Sequence, residues 1–160
     1  MHRQAGVTLL ETMVAIAIMG IVMAWGLPSL SDVISNNTIK STADVIFSAL
    51  QEARSEALKR NTSVSATLTA TAVTLAGSNY AKTISLAGAG TGTTISQNPA
   101  GAITFTSTGQ IAASASYVIS ITNASCPASN ACLKVEAYGG GFIKVCNPSQ
   151  GDRNASNFCS

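Results

Sequence analysis

Val7-Thr8-Leu9-Leu10-Glu11-Thr12-Met13-Val14-Ala15-Ile16-Ala17-Ile18-Met19-Gly20-Ile21-Val22-Met23-Ala24-Trp25-Gly26-Leu27 is a run of 21 residues, apolar but for Glu11 and two threonines, and stopped by Pro28. At about 1.5 Å rise per residue it makes a helix of roughly 32 Å, enough to cross a hydrocarbon core of about 30 Å. Glu11 stands near its start. An ionised carboxylate in such a setting costs on the order of 2.5–3.5 kcal/mol on the insertion scale. A sequence that keeps it predicts a partner charge. An ordinary secretory signal has an apolar core of roughly 7–15 residues followed by a small-x-small cleavage site. This run is longer and carries the glutamate, so that reading fails. A plain anchor accounts for the length and leaves the glutamate unexplained.

The chain has 160 residues, of which about 130 remain for one globular domain beyond the apolar run. Charged residues make up only 10%, and the net charge is +2, so no strong bulk attraction to nucleic acid follows. The single histidine is His2, ahead of the apolar run, so no imidazole is left in the body of the chain for acid–base chemistry. The carboxylates show no tight pair outside the helical region, and no serine has an evident base partner. No enzyme, cofactor or metal is implied.

Beyond Pro28, which lacks a backbone donor and disfavours helix at the residue before it, a kink is expected. Ser29 to Arg60 then reads as a second helical portion. Ile39, Ala43, Ile46, Leu50, Ala53 and Ala57 recur at steps of four and three, one apolar stripe on a helix. Glu52 and Glu56 stand one turn apart and are expected to share Arg60. Lys59, Arg60 and Asn61 form a helix end. After Asn61 the pattern alternates with period two, rich in Thr, Val, Ile and Ser. Expected strands are Val64–Ala70 and Ala72–Ala76 as a tight hairpin, then Thr83–Ala87, Ala102–Thr106 and Tyr117–Thr122. Leu133–Tyr138 and Phe142–Cys146 form a further hairpin around Gly139-Gly140-Gly141. Gly88-Ala89-Gly90-Thr91-Gly92 lacks the Lys and Ser/Thr of a phosphate-binding loop. The fold class is α+β, a long N-terminal helix packed on an antiparallel β domain. The stripe has a second reading as a coiled-coil seam, disfavoured because it spans under three heptads.

The four cysteines, Cys126, Cys132, Cys146 and Cys159, lie in the last 35 residues. An even count behind an export-type segment indicates disulfides in an oxidising compartment. Cys126–Cys132 with Cys146–Cys159 is favoured because each closes a short loop. The rival is Cys132–Cys146 with Cys126–Cys159. A zinc site is disfavoured, since no C-x-x-C pair and no nearby His are present.

Gly6-Val7-Thr8-Leu9-Leu10-Glu11, behind a short leader with Arg3, resembles the class III signal of type IV prepilins. The resemblance implies that residues 1–6 are a leader cut after Gly6 by a prepilin peptidase. Val7, where the family usually has Phe, would become the N-methylated first residue, with Glu11 the fifth. Glu11 would then neutralise the Val7 amine of a neighbouring subunit and set the register of assembly. The parts would be residues 7–27 as a transmembrane segment, 28–61 as an amphipathic helix, and 62–160 as a β-rich domain with a disulfide-bonded C-terminal region. Ala53-Arg54-Ser55-Glu56-Ala57-Leu58-Lys59-Arg60-Asn61 resembles the helix end of the GspH/FimT family of minor pilins and pseudopilins. Ile103-Thr104-Phe105 with Gly109 resembles that family's mid-domain strand and turn.

The resemblance implies a pilin fold and a minor pilin of a type IV pilus. Its partners would be other pilins, the prepilin peptidase and the bacterial inner membrane, which it would cross once before passing into a periplasmic or extracellular pilus. One alternative is a pseudopilin of a type II secretion system. Another is a DNA-binding pilin for natural transformation, a role associated in some FimT-type members with a basic C-terminal Gly-Arg-x-Arg motif. The nearest match is Gly151-Asp152-Arg153-Asn154, with one Arg beside an acid. Lys134 and Lys144, expected nearly opposite one another on the last hairpin, would join Arg153 in a small basic patch able to support only weak, salt-sensitive contacts. Ordinary solvated lysines are the favoured reading of that patch.

Overall fold

The computed structural model describes residues 7–86, 92–123, 126, 132–149 and 159, with backbone alone at 24–32 and 114. The chain forms two compact units, Met1–Ser35 and Asn36–Ser160. A single helix, α1 (Leu9–Arg60), contributes to both.

In the first unit, every described side chain from Val7 to Met23 is exposed, from Leu9 and Leu10 to Ile21 and Val22. A helix apolar on all sides finds no cover within its own unit, the pattern of an element built to be surrounded. Among the described residues, no helix is long and apolar enough to cross a membrane. The stretch with described side chains stops at Met23, before the end of the Val7–Leu27 run.

In the second unit, α1 presents Ile39, Ala43, Ile46, Leu50, Ala53 and Ala57 as buried residues, together with Thr42 and Ala49. The buried Thr42 hydroxyl donates to the Thr38 carbonyl at 2.8 Å, so the one polar side chain within the stripe is satisfied by its own helix. The helix stops at Asn61, whose φ of 50° is left-handed. Asn61 N–H donates to Leu58 O at 3.3 Å and Thr62 N–H to Ala57 O at 3.2 Å, the paired bonds of a Schellman end with asparagine in place of glycine.

The β part consists of β1 (Val64–Leu68), β2 (Ala72–Gly77), β3 (Tyr80–Ser85), β4 (Thr94–Asn98), β5 (Ile103–Phe105), β6 (Tyr117–Thr122), β7 (Leu133–Ala137) and β8 (Ile143–Cys146). They form two four-stranded sheets, ordered β3-β2-β1-β5 and β4-β6-β7-β8. All pairings are antiparallel. Val64, Ala66, Val73, Leu75, Ile103 and Phe105 from the first sheet join the α1 stripe in one core cluster with Ile119, Ile121, Val135 and Ala137 from the second.

The expected strands occur, Tyr117–Thr122 with its expected bounds and the others with shifted ends, and β4 is an addition. Thr94-Ile95-Ser96-Gln97-Asn98 has a single apolar residue and sits at a sheet edge, where one half-buried Ile suffices. The third strand begins at Tyr80, earlier than the expected Thr83, because the Ser78-Asn79 turn pairs Gly77 directly with Tyr80. Ala87 and most of the expected glycine loop lie outside the described residues.

Leu50 is fully buried at the centre of the stripe. Leu50→Ala is expected to lower unfolding free energy by about 2–5 kcal/mol. The exposed Lys40→Ala is expected to stay within about 0.5 kcal/mol of the parent in the same denaturant titration.

Candidate functional site

The helix start carries the residues to which the sequence assigns processing and register. Thr8 immediately precedes α1, and its Oγ1 accepts the Glu11 N–H at 3.3 Å. Thr8 O also accepts from the Glu11 and Thr12 amides, at 3.1 and 3.2 Å. Thr8-x-x-Glu11 is therefore a capping-box pattern, with Thr8 as N-cap and Glu11 at the third helical position. The Thr-x-x-Glu signal stands in the sequence inside a run whose hydropathy masks it. It gives Glu11 a second, local reason to stand there, since a carboxylate in the first turn also favours the helix dipole. Both Glu11 and Val7 are exposed, open to contact from another molecule. Gly6 lies outside the described residues, and helical backbone continues through Pro28.

At the other end of α1, carboxylates tie the helix to the β2–β3 hairpin. Glu52 accepts from Lys82 Nζ at 2.7 and 2.8 Å and from the Tyr80 hydroxyl at 2.8 Å. The expected sharing of Arg60 does not occur. Arg60 lies eight residues beyond Glu52 and is held by Glu56 at 2.6 Å, while its Nη1 donates to Asn79 O at 3.2 Å. Its guanidinium also stacks 4.9 Å from the centre of the Tyr80 ring. The Lys82 and Tyr80 hydrogen bonds hold the Glu52 carboxyl below its usual range. The Arg60 bond does the same for Glu56. Burial, then the Glu52 bond, pushes the Tyr80 phenol up to about 12.

Six residues before the helix end, Arg54 Nε donates to Gly109 O at 3.1 Å. Gly109 closes the turn after β5, and Gly141 closes the turn between β7 and β8. Both turns are built alike: Gly109 N–H donates to Thr106 O at 2.8 Å, and Gly141 N–H to Tyr138 O at 2.7 Å. Both glycines have left-handed φ, 75° and 82°. Ile111 N–H donates to Gly139 O at 2.9 Å, so the two turns, one from each sheet, are stitched together under Arg54. A Cβ on Gly141 would overlap the Gly109 carbonyl oxygen. Arg54 and Gly109, distant in sequence, belong to one junction of helix and both sheets.

The last hairpin places two of the three residues of the expected basic patch. Lys134 lies opposite Cys146, and Lys144 lies opposite Glu136. The Tyr138 N–H to Phe142 O bond at 2.9 Å closes a three-glycine turn and fixes this register. Lys144 Nζ sits 3.3 Å from the buried Glu136 carboxylate. Glu136 also accepts from the Tyr138 hydroxyl, and the Lys144 ammonium lies 5.6 Å from the Tyr138 ring centre. Burial pulls the Lys144 ammonium down, but the Tyr138 and Glu136 hydrogen bonds outweigh it and leave the ammonium above its ordinary value. Lys144 is thus committed to an internal carboxylate, while Lys134 lies diagonal to it. Arg153 lies outside the described residues.

Cys126 is joined to Cys132 and Cys146 to Cys159, with Cα–Cα separations of 5.5 and 5.1 Å. Glu136, Cys146 and Cys159 offer ligand atoms within 4.8 Å of one another. Both sulfurs are bonded to each other, and the carboxylate is engaged by Lys144 and Tyr138, so this cluster does not fit a metal. A groove of about 710 Å³ runs between α1 and β3, with Lys40, Asp44, Val45 and Ile84 among its lining. Its Glu52 and Lys82 are paired with each other.

Two measurements probe these contacts. Gly141→Ala is expected to destabilise the protein by on the order of 3 kcal/mol, while Gly140→Ala, with open space around its Cβ, changes stability by less than about 1 kcal/mol in denaturant titrations. Glu52 and Glu56 are more acidic folded than unfolded, so their contribution is complete above about pH 4.5 and is lost as pH falls through their lowered folded values. Thermal melts should therefore fall on acidification. Glu52→Gln should flatten that fall, with a partly exposed pair limiting the effect to about 1 kcal/mol.

Residues 1–27 match the prokaryotic N-terminal methylation motif. Residues 42–141 match the family model of type II transport protein GspH. Among solved structures, the chain is similar to the type IV minor pilin FimU of Pseudomonas aeruginosa in two crystal forms. The first has a TM-score of 0.60 at 18% identity, covering 74% of this chain and 96% of that one. The second has a TM-score of 0.56 at 17% identity, covering 71% and 97%. At these identities the likeness is one of fold. No curated protein matches the sequence. The GspH match takes in most of the α1 stripe, the Arg54–Gly109–Gly141 junction and both sheets through the last turn, more than half of the chain, and with the methylation motif ahead of it the chain belongs to the GspH family.

Proposed function

We propose that this chain is a minor pilin of a type IV pilus, made as a prepilin and incorporated through the N-terminal part of α1. The observation that carries the reading is an exposed, largely apolar stretch from Val7 to Met23 carrying the lone charge of Glu11 within a methylation motif, in a chain whose globular unit has its own closed core. A prepilin peptidase would cut after Gly6, leaving a methylated Val7 amine that stays cationic near neutral pH. Before assembly the Val7–Leu27 run would lie in the bacterial inner membrane, where lipid covers its apolar surface. In the filament, neighbouring helices would replace that lipid. The Glu11 carboxylate would then meet the Val7 amine of an adjacent subunit. Removing both charges from water is repaid only in good geometry, so the pair would reject misplaced subunits. Within this reading the protein is a structural subunit acting in pilus assembly, priming or at the tip, not an enzyme.

The family description favours one other machine, the type II secretion filament, in which the same helix and charge pair would serve a pseudopilin. The fold likeness to a type IV minor pilin, and Pro28 at the twenty-second position counted from Val7, support the pilus. A DNA-capturing role has little support from the last hairpin, where Lys144 is held by Glu136.

The test is the N-terminus of the protein recovered from sheared surface filaments. Mass spectrometry is expected to find a chain beginning at N-methylated Val7, in small amount relative to the main subunit. Recovery only from the cell body, or a chain still beginning at Met1, would overturn the proposal.

A further inference from the structure

Among the described residues, the first sheet ends on β3, the longest of the edge strands: β3 has six residues, β4 five, β8 four and β5 three. Its ladder with β2 runs from Gly77↔Tyr80 to Ala72↔Ser85 without a bulge. The phase of that ladder is fixed by Leu86 N–H, which donates to Thr71 O at 2.9 Å. Antiparallel pairs alternate between bonded and non-bonded, so Tyr80, Lys82 and Ile84 direct their backbone groups to β2. The backbone N–H and C=O of Ala81, Thr83 and Ser85 therefore point away from β2, to a side where no other strand lies among the described residues. Proteins blunt such edges with a proline, a bulge or a lysine. This edge has no proline, and its lysine, Lys82, is folded onto Glu52 at 2.7 Å.

Beside the edge lies the groove of about 710 Å³. Arg60 meets Asn79 and Glu52 meets Lys82, so β3 runs opposite in direction to α1. Past Lys82, Thr83 and Ile84 line the groove across from Val45 and Ser48. Val45, Ala49 and Ile84 give it an apolar floor, and the small Ser41 and Ser48 leave room for a backbone to lie over the helix. Lys40 and Asp44 stand exposed on its helix rim, and neither forms an ion pair among the described residues. They are about 6 Å apart along the axis, close to the roughly 6.6 Å between alternate side chains of a strand.

We propose that the β3 edge and its groove bind an extended segment of a partner protein, which adds a fifth strand to the first sheet. Its main chain pairs with Ala81, Thr83 and Ser85, antiparallel like every other pairing in the fold. In that direction its groove-facing alternate positions read acid, base, apolar, apolar. The carboxylate answers Lys40, the cation answers Asp44, and two aliphatic side chains cover Val45, Ala49 and Ile84. Main-chain pairing supplies the affinity and the alternate side chains the selectivity. The contact belongs to the globular unit alone and stands whichever filament the chain enters.

The test uses isotope-labelled full-length protein in detergent micelles and a synthetic peptide of about eight residues. Alternate positions of the peptide read glutamate, lysine, valine and isoleucine, with threonines between. Amide hydrogen exchange followed by NMR is expected to slow at least about tenfold at Ala81, Thr83 and Ser85. Tyr80, Lys82 and Ile84, already bonded to β2, should stay within about twofold of the free protein. Thr83→Pro removes one outward N–H and keeps every bond to β2. It is expected to melt like the parent and to bind the peptide at least about tenfold more weakly. Asp44→Lys, an exposed helix position, should weaken binding several-fold, and a peptide with glutamate in place of its lysine should bind that variant as the parent pair does. No slowing, equal slowing all along β3, or protection of Ala81, Thr83 and Ser85 before peptide is added would overturn the proposal. So would self-association through β3 without peptide, or equal binding of a scrambled peptide of the same composition.

Discussion

Burial of one stripe of α1 is the constraint on which the globular unit depends. Ile39, Ile46 and Leu50 are each worth about 1.5–3 kcal/mol when removed from water. Ala43, Ala49, Ala53 and Ala57 allow the sheets to approach the helix closely at the same face. The chain has few aromatic residues, and Phe105 is the one large ring fully buried among the described residues. Neither sheet brings a large core of its own, so the helix stripe is what both have in common. The polar contacts then settle alignment. Glu52 and Arg60 hold the β2–β3 hairpin, and Arg54 holds the point where the turns of the two sheets meet.

Elements whose signal is periodic were legible in the sequence. The stripe from Ile39 to Ala57 needs only helical spacing to be read, and every one of its six residues is buried. The β6 and β7 strands carry alternating branched residues and were readable for the same reason. Strand β4 was not, because its order comes from pairing with β6 and its own residues are almost all polar. Register was less legible than existence. The three-residue turn at Gly139–Gly141 decides which lysine faces Glu136, setting Lys144 opposite it and Lys134 diagonal to Lys144. Long-range contacts such as Arg54 with Gly109 leave no local signature. The Arg54 string and the Gly109 turn each carry a family resemblance in sequence, and only the fold connects them.

The N-terminal head is the opposite case. Its lone carboxylate is conspicuous against the apolar run, while the helix-start chemistry around it is ordinary. Thr8 and Glu11 form a capping-box pair in sequence, and the Thr8 hydroxyl receives the Glu11 amide. That bond uses the backbone amide of position 11 and needs no charge on its side chain. Pairing with a partner's amine needs a negative charge there. The two demands separate in a substitution that keeps the shape and removes the charge.

Glu11→Gln is that substitution, because glutamine also serves at the third position of a capping box. The decisive measurement is the fraction of full-length Glu11→Gln protein recovered in sheared filaments, relative to the membrane pool and to the parent. The account predicts unchanged cleavage and membrane level with filament recovery reduced at least about tenfold, the equivalent of roughly 1.4 kcal/mol in docking. Recovery equal to the parent would contradict charge pairing and leave Glu11 as a helix-start residue only.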